Sequence, residues 1–374
     1  MDDILALSSQ PLKLYPTRVW RTYTGGKLID EWHGCENPAD NQFPEEWVAS
    51  LVTSYRSGSG EDANEGLSQL EYGGERIFLK DLITQAPEAF LGKRHFEEFG
   101  PATGILVKIL DSAERLAIQV HPDKPAARRL FSSDYGKTEA WYVIGGRTIG
   151  PEPPYVLLGF KPGVTREDWV RLFETQDITG MIDALHKIYV KPGDVYLVEG
   201  GVPHAIGPGC FIIEIQEPTD YTIRTERRTS GGLELPDEFC HLGLGFERMF
   251  DCFHYQGFER SELLAKYCLT PAARGAEEGD YRETLISLEQ TPAFAMDRFV
   301  VSSKLSMDSE HSFSCLIVVS GRGRLHYEGG RVDIAQGDQF FIPHGVKGLV
   351  CENAGAAPIV LVQCYPPVDK GVPS

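Results

Sequence analysis

The chain has 374 residues, too many for a single small domain and enough for two or three. Its 36 Lys and Arg stand against 54 Asp and Glu, and the resulting net charge of −18 argues against nucleic acid or an anionic membrane as a partner. Apolar residues make up 42% and aromatics 10%, which excludes global disorder, and 39 Gly with 24 Pro suit many short strands and turns better than a helical bundle.

The first ten residues carry two Asp, no basic segment and no apolar run, so they do not read as a signal peptide. No stretch approaches the roughly 20 apolar residues of a membrane span. The eight Cys form no CxxC pair and no dense framework, and read as reduced thiols of a cytoplasmic protein.

Residues 1 to about 100 are irregular, with a Gly/Ser/Glu-rich loop at 57–65. One segment there, 79–91, places Leu79, Leu82, Ile83, Ala86 and Phe90 at helical spacing. From Gly104 the texture is that of strands: 104–110 and 115–121 flank a turn, and 140–144 and 155–160 follow, each bounded by Gly or Pro. Thr165 opens a predicted helix as its N-cap, with Trp169, Val170, Leu172 and Phe173 as the apolar face. Strand returns over 188–198, broken at Pro192-Gly193. Residues 233–264 look mixed or helical, 270–291 read as a polar linker or surface hairpin, and short strands resume from Phe294 to Tyr365. A weak internal repeat lays 191–204 over 335–348, each with a Gly-Asp turn, alternating apolar residues and a second Gly-containing turn. Such pairs are the texture of a jelly roll, so a mainly β chain of two jelly-roll halves with helical insertions is expected.

The chemistry concentrates in the first half. Gln119 and His121 lie two apart on a predicted strand, so their side chains share a face. Alone, the pair fits a wet cavity as well as half a metal site. Glu139, two residues after Lys137, enters an apolar strand, where a carboxylate is costly unless paired or metal-bound; an exposed strand start is the other reading. His204 follows Glu199-Gly-Gly-Val-Pro, and the Gly193, Gly201, His204 spacing is that by which a cupin jelly roll delivers a histidine into its interior. In the second half that position is Gly348, so only the first half is expected to hold metal. Together Gln119, His121, Glu139 and His204 suit Zn²⁺ or a similar divalent ion with positions left open for substrate. Glu214, among Ile residues, could serve as a base with a raised pKa or pair with an Arg; Arg224, Arg227 and Arg228 are the densest cations nearby, the last two fitting a solvated loop equally well. The remaining histidines, His33, His95, His186, His241, His254, His311, His326 and His344, lack spacing partners and read as surface or satisfied core residues. No dinucleotide fingerprint, P-loop or nucleophile elbow is present.

The blocks 118–123 (IQVHPD), 136–142 (GKTEAWY), Lys191 to Asp194 with Gly201 to Ala205, and Glu214-Ile-Gln with Thr219 to Arg224 resemble, in order and spacing, the type I mannose-6-phosphate isomerases, particularly the shorter bacterial form. The resemblance runs from about Pro11 to the C-terminus. It implies a zinc-dependent enzyme built on cupin-type jelly-roll β-barrels that interconverts mannose 6-phosphate and fructose 6-phosphate. The family's zinc ligands fall on Gln119, His121, Glu139 and His204, its active-site lysine on Lys137, and its active-site Glu and Arg on Glu214 and Arg224. This chain departs from the family pattern at Glu217-Pro-Thr and at Thr225-Glu-Arg-Arg, both bordering the substrate.

The expected organisation is a catalytic cupin domain over 1–232 with a helical insertion at about 163–187, a mixed connection over 233–292, and a degenerate metal-free half over 293–374. Aldose–ketose isomerisation moves a proton between C1 and C2 through an enediol. Glu214 is the expected base, with a metal-held water as rival, and Lys137 and Arg224, with Arg227 and Arg228 in reserve, are expected to bind the phosphate or assist ring opening. Other readings are a cupin oxygenase or epimerase and a non-catalytic sugar-phosphate sensor.

Overall fold

The computed structural model describes residues 2–54, 63–277, 279–308 and 312–368. Strand accounts for 35% against 21% helix, so the chain is mainly β, as expected. Most of the 57–65 loop, and His311, lie outside the described residues. The chain divides into two compact units, one built from Met1–Arg18, Glu46–Lys108 and Pro271–Ser374, the other from Val19–Glu45 and Ile109–Thr270. All eight cysteines are free thiols. No helix among the described residues is long and apolar enough to cross a membrane.

The Val19–Glu45/Ile109–Thr270 unit is a two-sheet sandwich of jelly-roll type rather than a closed barrel. One sheet orders the strands Leu185–Tyr189, Tyr155–Phe160, His204–Ile206, Gln119–Val120 and Ile223–Arg224. The other contains, in order, Cys268–Leu269, Val195–Val198, Glu139–Gly146 and Cys210–Gln216. Alternation along each strand decides what lies between the sheets. Val156 and Leu158 point inward with Trp141, Val143, Tyr196, Val198 and Ile212 into one apolar cluster. Tyr155 and Leu157 point outward, where Trp169, Phe173 and Met181 of the helices Arg166–Thr175 and Ile178–Asp183 cover them. Thr165 caps the first of these helices as predicted: its hydroxyl accepts from the Asp168 N–H at 3.1 Å while Asp168 reaches back to the cap.

The other unit carries a seven-stranded sheet in which Leu12–Lys13 pairs with Gln339–Ile342, and a four-stranded sheet formed by Lys304–Ser306, Val350–Asn353, Arg322–Tyr327 and Gly330–Ala335. Phe299, Leu316, Phe340, Cys351 and Leu361 belong to its apolar core. The 270–291 stretch is a hairpin of Ala272–Glu277 and Asp280–Ile286.

Two local expectations change. The helix expected over 79–91 is two, Leu79–Gln85 and Pro87–Leu91, because Pro87 pushes Ala86 out of the helical region to φ −146°, ψ 59°. Of the strand expected over 115–121, only Gln119–Val120 is regular. The residues before it are tied to side chains instead: Glu226 accepts from the Ile118 N–H at 2.7 Å and from Arg115 Nη2 at 2.8 Å.

Candidate active site

The same alternation places the candidate residues. Ile118, Val120, Ala205 and Ile223 belong to the outer, helix-covered cluster, so Gln119, His204 and Arg224 face the interior. Gln119 is the register partner of both His204 and Arg224, which sets the three side by side across the sheet. His121 follows Gln119 by two residues. On the opposite sheet Glu139 is paired with Gln216 and Trp141 with Glu214, and Trp141 belongs to the inner cluster, so both carboxylates face the interior too.

His121, Glu139 and His204 converge there, all buried, with their ligand atoms within 4.8 Å of one another. His121 Nδ1 lies 2.7 Å from the Tyr221 carbonyl and His204 Nδ1 lies 2.9 Å from the Val202 carbonyl. A carbonyl only accepts, so each ring carries its proton on Nδ1 and turns an Nε2 lone pair inward. Those lone pairs face the Glu139 carboxylate at 3.1 and 3.3 Å. Acceptors facing acceptors need a cation between them. Lys137 stands in for one, with Nζ 2.8 Å from His121 Nε2 and hydrogen-bonded to Glu139 Oε2. Burial, and then the Lys137 charge, hold the His121 pKa down at about 3, so the ring is neutral and available as a ligand. Burial alone would raise the Glu139 pKa, but the Lys137 ammonium outweighs it and keeps the carboxyl well below its usual range. Two imidazoles with Nδ1 committed to backbone carbonyls and one ionised carboxylate are a donor set that fits a divalent metal such as zinc. Gln119 Nε2 lies 3.2 Å from His204 Nε2, and the opposite amide orientation would present its oxygen instead.

The loops that carry these groups are braced. Gly201 donates to the His121 carbonyl at 2.7 Å with φ +89°, a conformation an L side chain rarely adopts. Glu217 accepts from the Thr138 N–H at 3.0 Å, and Thr219 Oγ1 donates to the Gly136 carbonyl at 2.8 Å. These contacts come from the Glu217-Pro-Thr stretch where the sequence departs from the family pattern, and they hold the segment bearing Lys137 and Glu139. Glu226, in the second departing stretch, anchors the strand bearing Gln119.

Beside the metal ligands lies a charge network that sequence reasoning missed. Arg21 donates from Nε to Glu45 at 2.8 Å and from Nη1 to Asp220 at 3.2 Å. Tyr23 Oη donates to Glu45 Oε1 at 2.8 Å. Burial lowers the Arg21 pKa, but Asp220 and Glu45 raise it by more, so the guanidinium stays charged. Burial raises the Tyr23 hydroxyl well above its usual value, with Glu45 adding to it. Arg224 donates to the carbonyls of Thr222 at 3.3 Å and Phe239 at 2.8 Å, and burial lowers its pKa. Nothing in the spacing around Trp20-Arg21-Thr22-Tyr23 marked these residues, which lie outside regular strands.

Lys137, Glu214 and Arg224 are thus brought to the metal-ligand cluster or to its sheet faces. Arg227 and Arg228 are not. The Arg227 guanidinium sits 5.1 Å from the Phe173 ring and 4.4 Å from the Phe246 ring, against the outer helical layer. Arg228 is exposed and lies 3.4 Å from Glu234.

Comparison with known proteins agrees with this architecture. Residues 19–139 match the family model described as phosphomannose isomerase type I, catalytic domain, and residues 284–356 match that of the mannose-6-phosphate isomerase cupin domain. The chain is 28% identical over 262 residues to a probable mannose-6-phosphate isomerase, GmuF, of Bacillus subtilis, covering 67% of this chain and 74% of that protein. It is 27% identical over 260 residues to the mannose-6-phosphate isomerase of Streptococcus mutans, covering 68% and 73%. Among solved structures, a mannose 6-phosphate isomerase from Bacillus subtilis superposes with a TM-score of 0.72 at 22% identity, over 96% of this chain and 100% of that one. A zinc-bound mannose 6-phosphate isomerase superposes with a TM-score of 0.73 at 16% identity, over 96% and 100%. The chain belongs to the type I mannose-6-phosphate isomerase family, a family of enzymes.

Proposed function

We propose that this chain is a zinc-dependent isomerase that interconverts mannose 6-phosphate and fructose 6-phosphate. The observation that carries the reading is the pair of inward Nε2 lone pairs facing Glu139, with Lys137 beside them and Glu214 and Arg224 on the enclosing sheet faces. His121, Glu139, His204 and Gln119 would hold the metal. A zinc ion bound there supplies positive charge that polarises the sugar carbonyl and stabilises the enediolate.

The remaining work falls to side chains. The Glu214 carboxylate takes the proton from C2 of the open-chain aldose, and the C2–H electron pair forms the C1–C2 double bond of the enediol. The same group returns the proton to C1 as the C2 carbonyl forms, and the hydroxyl proton that O2 gives up balances the one O1 takes up as the C1 carbonyl becomes a hydroxyl. Only 4% exposed, Glu214 can carry the proton with little loss to solvent. Arg224 supplies positive charge that a phosphorylated sugar needs inside an acidic protein. Trp141 Nε1 donates to Glu139 Oε1 at 3.1 Å and holds that carboxylate in place.

Turnover in D₂O tests the base. Wild type should place little solvent deuterium at C1, because the shielded Glu214 carries the proton over from C2, and Glu214→Gln should lower turnover about 10²- to 10⁴-fold at unchanged zinc content. Near-wild-type turnover in Glu214→Gln would remove Glu214 from that role.

A further inference from the structure

Two turns carry the histidine ligands, and a third segment of the same unit touches both. Asp123 follows His121 by two residues, and Gly201 precedes His204 by three. His254 reaches each of them. Its backbone N–H donates to the Gly201 carbonyl at 2.8 Å, and its Nε2 donates to Asp123 Oδ2 at 2.9 Å. The ring lies over Gly201 so closely that a Cβ there would stand 2.5 Å from it. Its sequence neighbourhood gives His254 no spacing partner, and the proton transfer makes no use of it.

Both ends of this bridge are anchored. Beside His254, the buried Phe253 ring lies 6.0 Å from Trp169 and 6.4 Å from Phe160, and Tyr255 stacks on Phe160 at 5.7 Å with the planes 11° apart. Tyr255 Oη also donates to the Phe250 carbonyl at 3.2 Å. The segment is thereby pinned to the aromatic cluster under the helices, and His254 extends from a fixed backbone. Asp123 is fixed as well. Its Oδ1 caps the helix Lys124–Phe131 by accepting from the Ala126 N–H at 2.7 Å, which leaves Oδ2 to His254. The two turns also meet directly, through the Gly201 N–H on the His121 carbonyl and through Gly200, where a Cβ would stand 2.6 Å from the Asp123 Cα.

We propose that His254 is a positioning residue for the metal site: it clamps the turn bearing His121 to the turn bearing His204 and so fixes the spacing of the two imidazoles. It acts through Asp123 and Gly201, the residues it bonds. The inference rests on the zinc-binding part of the proposed function and is independent of the sugar and of the reaction. Ligands held at the ion's spacing in advance bind it more tightly, because less ordering is left to the binding step. The His254 and Asp123 side chains are 54% and 28% exposed, so the clamp is a modest device. An exposed pair of this kind accounts for about three- to fivefold in zinc affinity.

Zinc titration of the full chain against a competing chelator tests the clamp. His254→Ala should weaken zinc binding about three- to fivefold. His254→Gln, whose amide can still donate to Asp123, should recover most of that loss. The unfolding midpoint of the metal-free chain should move little in either variant, since an exposed pair adds little stability. With cobalt in place of zinc, the visible spectrum reads the arrangement of the ligands; it should change in His254→Ala and return toward wild type in His254→Gln. Wild-type zinc affinity in His254→Ala overturns the clamp and leaves the zinc reading standing, and so does an equal loss in both variants. A wild-type chain that binds no zinc removes the zinc reading and the clamp with it.

Discussion

Two imidazole nitrogens and a carboxylate that face one another at 3.1 and 3.3 Å, all buried, repel unless positive charge lies among them. Each ring's outer nitrogen is fixed by a backbone carbonyl, so neither can escape by moving its proton. The candidate ligands were legible in the sequence because Gln119 and His121 lie two residues apart at a strand end, and because a glutamate entering an apolar strand demands a partner. Arg21 was not legible. It is recruited by Glu45 and Asp220, 24 and 199 residues away, and its own neighbourhood gives no sign of this. Its side chain is 11% exposed between two carboxylates that are 6% and 13% exposed. Arg21→Gln leaves both without their cation and should cost about 3–5 kcal/mol of stability. A denaturation midpoint measured against wild type checks this, and an unchanged midpoint would mean that Arg21 is no linchpin of the network.

At the scale of elements, the site depends on connections as much as on strands. The Thr165-capped helix and the Tyr155–Phe160 strand were readable because cap, apolar face and turn residues lie within one short window. The 115–121 stretch was over-read as a strand because its apolar residues alternate, whereas Glu226 takes the Ile118 N–H that a longer ladder would have used. The turn at Gly201 joins two ligand-bearing segments: it donates to the His121 carbonyl and lies three residues before His204. A Cβ at Gly201 would lie 2.5 Å from the His254 ring, on a backbone at φ +89°. Gly201→Ala should therefore cost about 1–2 kcal/mol of backbone strain and shift His121 relative to His204. Zinc titration against a competing chelator checks it, with weaker zinc binding expected; wild-type affinity would show that the turn can relax without moving the ligands.

For the whole molecule, the repeat that lays His204 over Gly348 pointed to the first half as the place of the candidate ligands, and His121, Glu139 and His204 do converge there. The interleaving of Met1–Arg18 and Glu46–Lys108 with Pro271–Ser374 in one unit was not, because a pairing such as Leu12–Lys13 with Gln339–Ile342 spans most of the chain and leaves no local pattern. The net charge of −18 makes a phosphorylated sugar an unwelcome guest except where the protein concentrates cations. Arg21 is already matched by Glu45 and Asp220 and Lys137 by Glu139, so Arg224 and a divalent ion on His121, Glu139 and His204 would have to supply that charge. Removal of that ion should therefore abolish activity. The decisive measurement is a coupled assay on mannose 6-phosphate of the zinc-loaded chain, after chelation, and after zinc is restored. Formation of fructose 6-phosphate that is lost with the metal and returns with it is the expected result; no turnover in the loaded state, or undiminished turnover after complete chelation, would contradict a zinc-dependent isomerase.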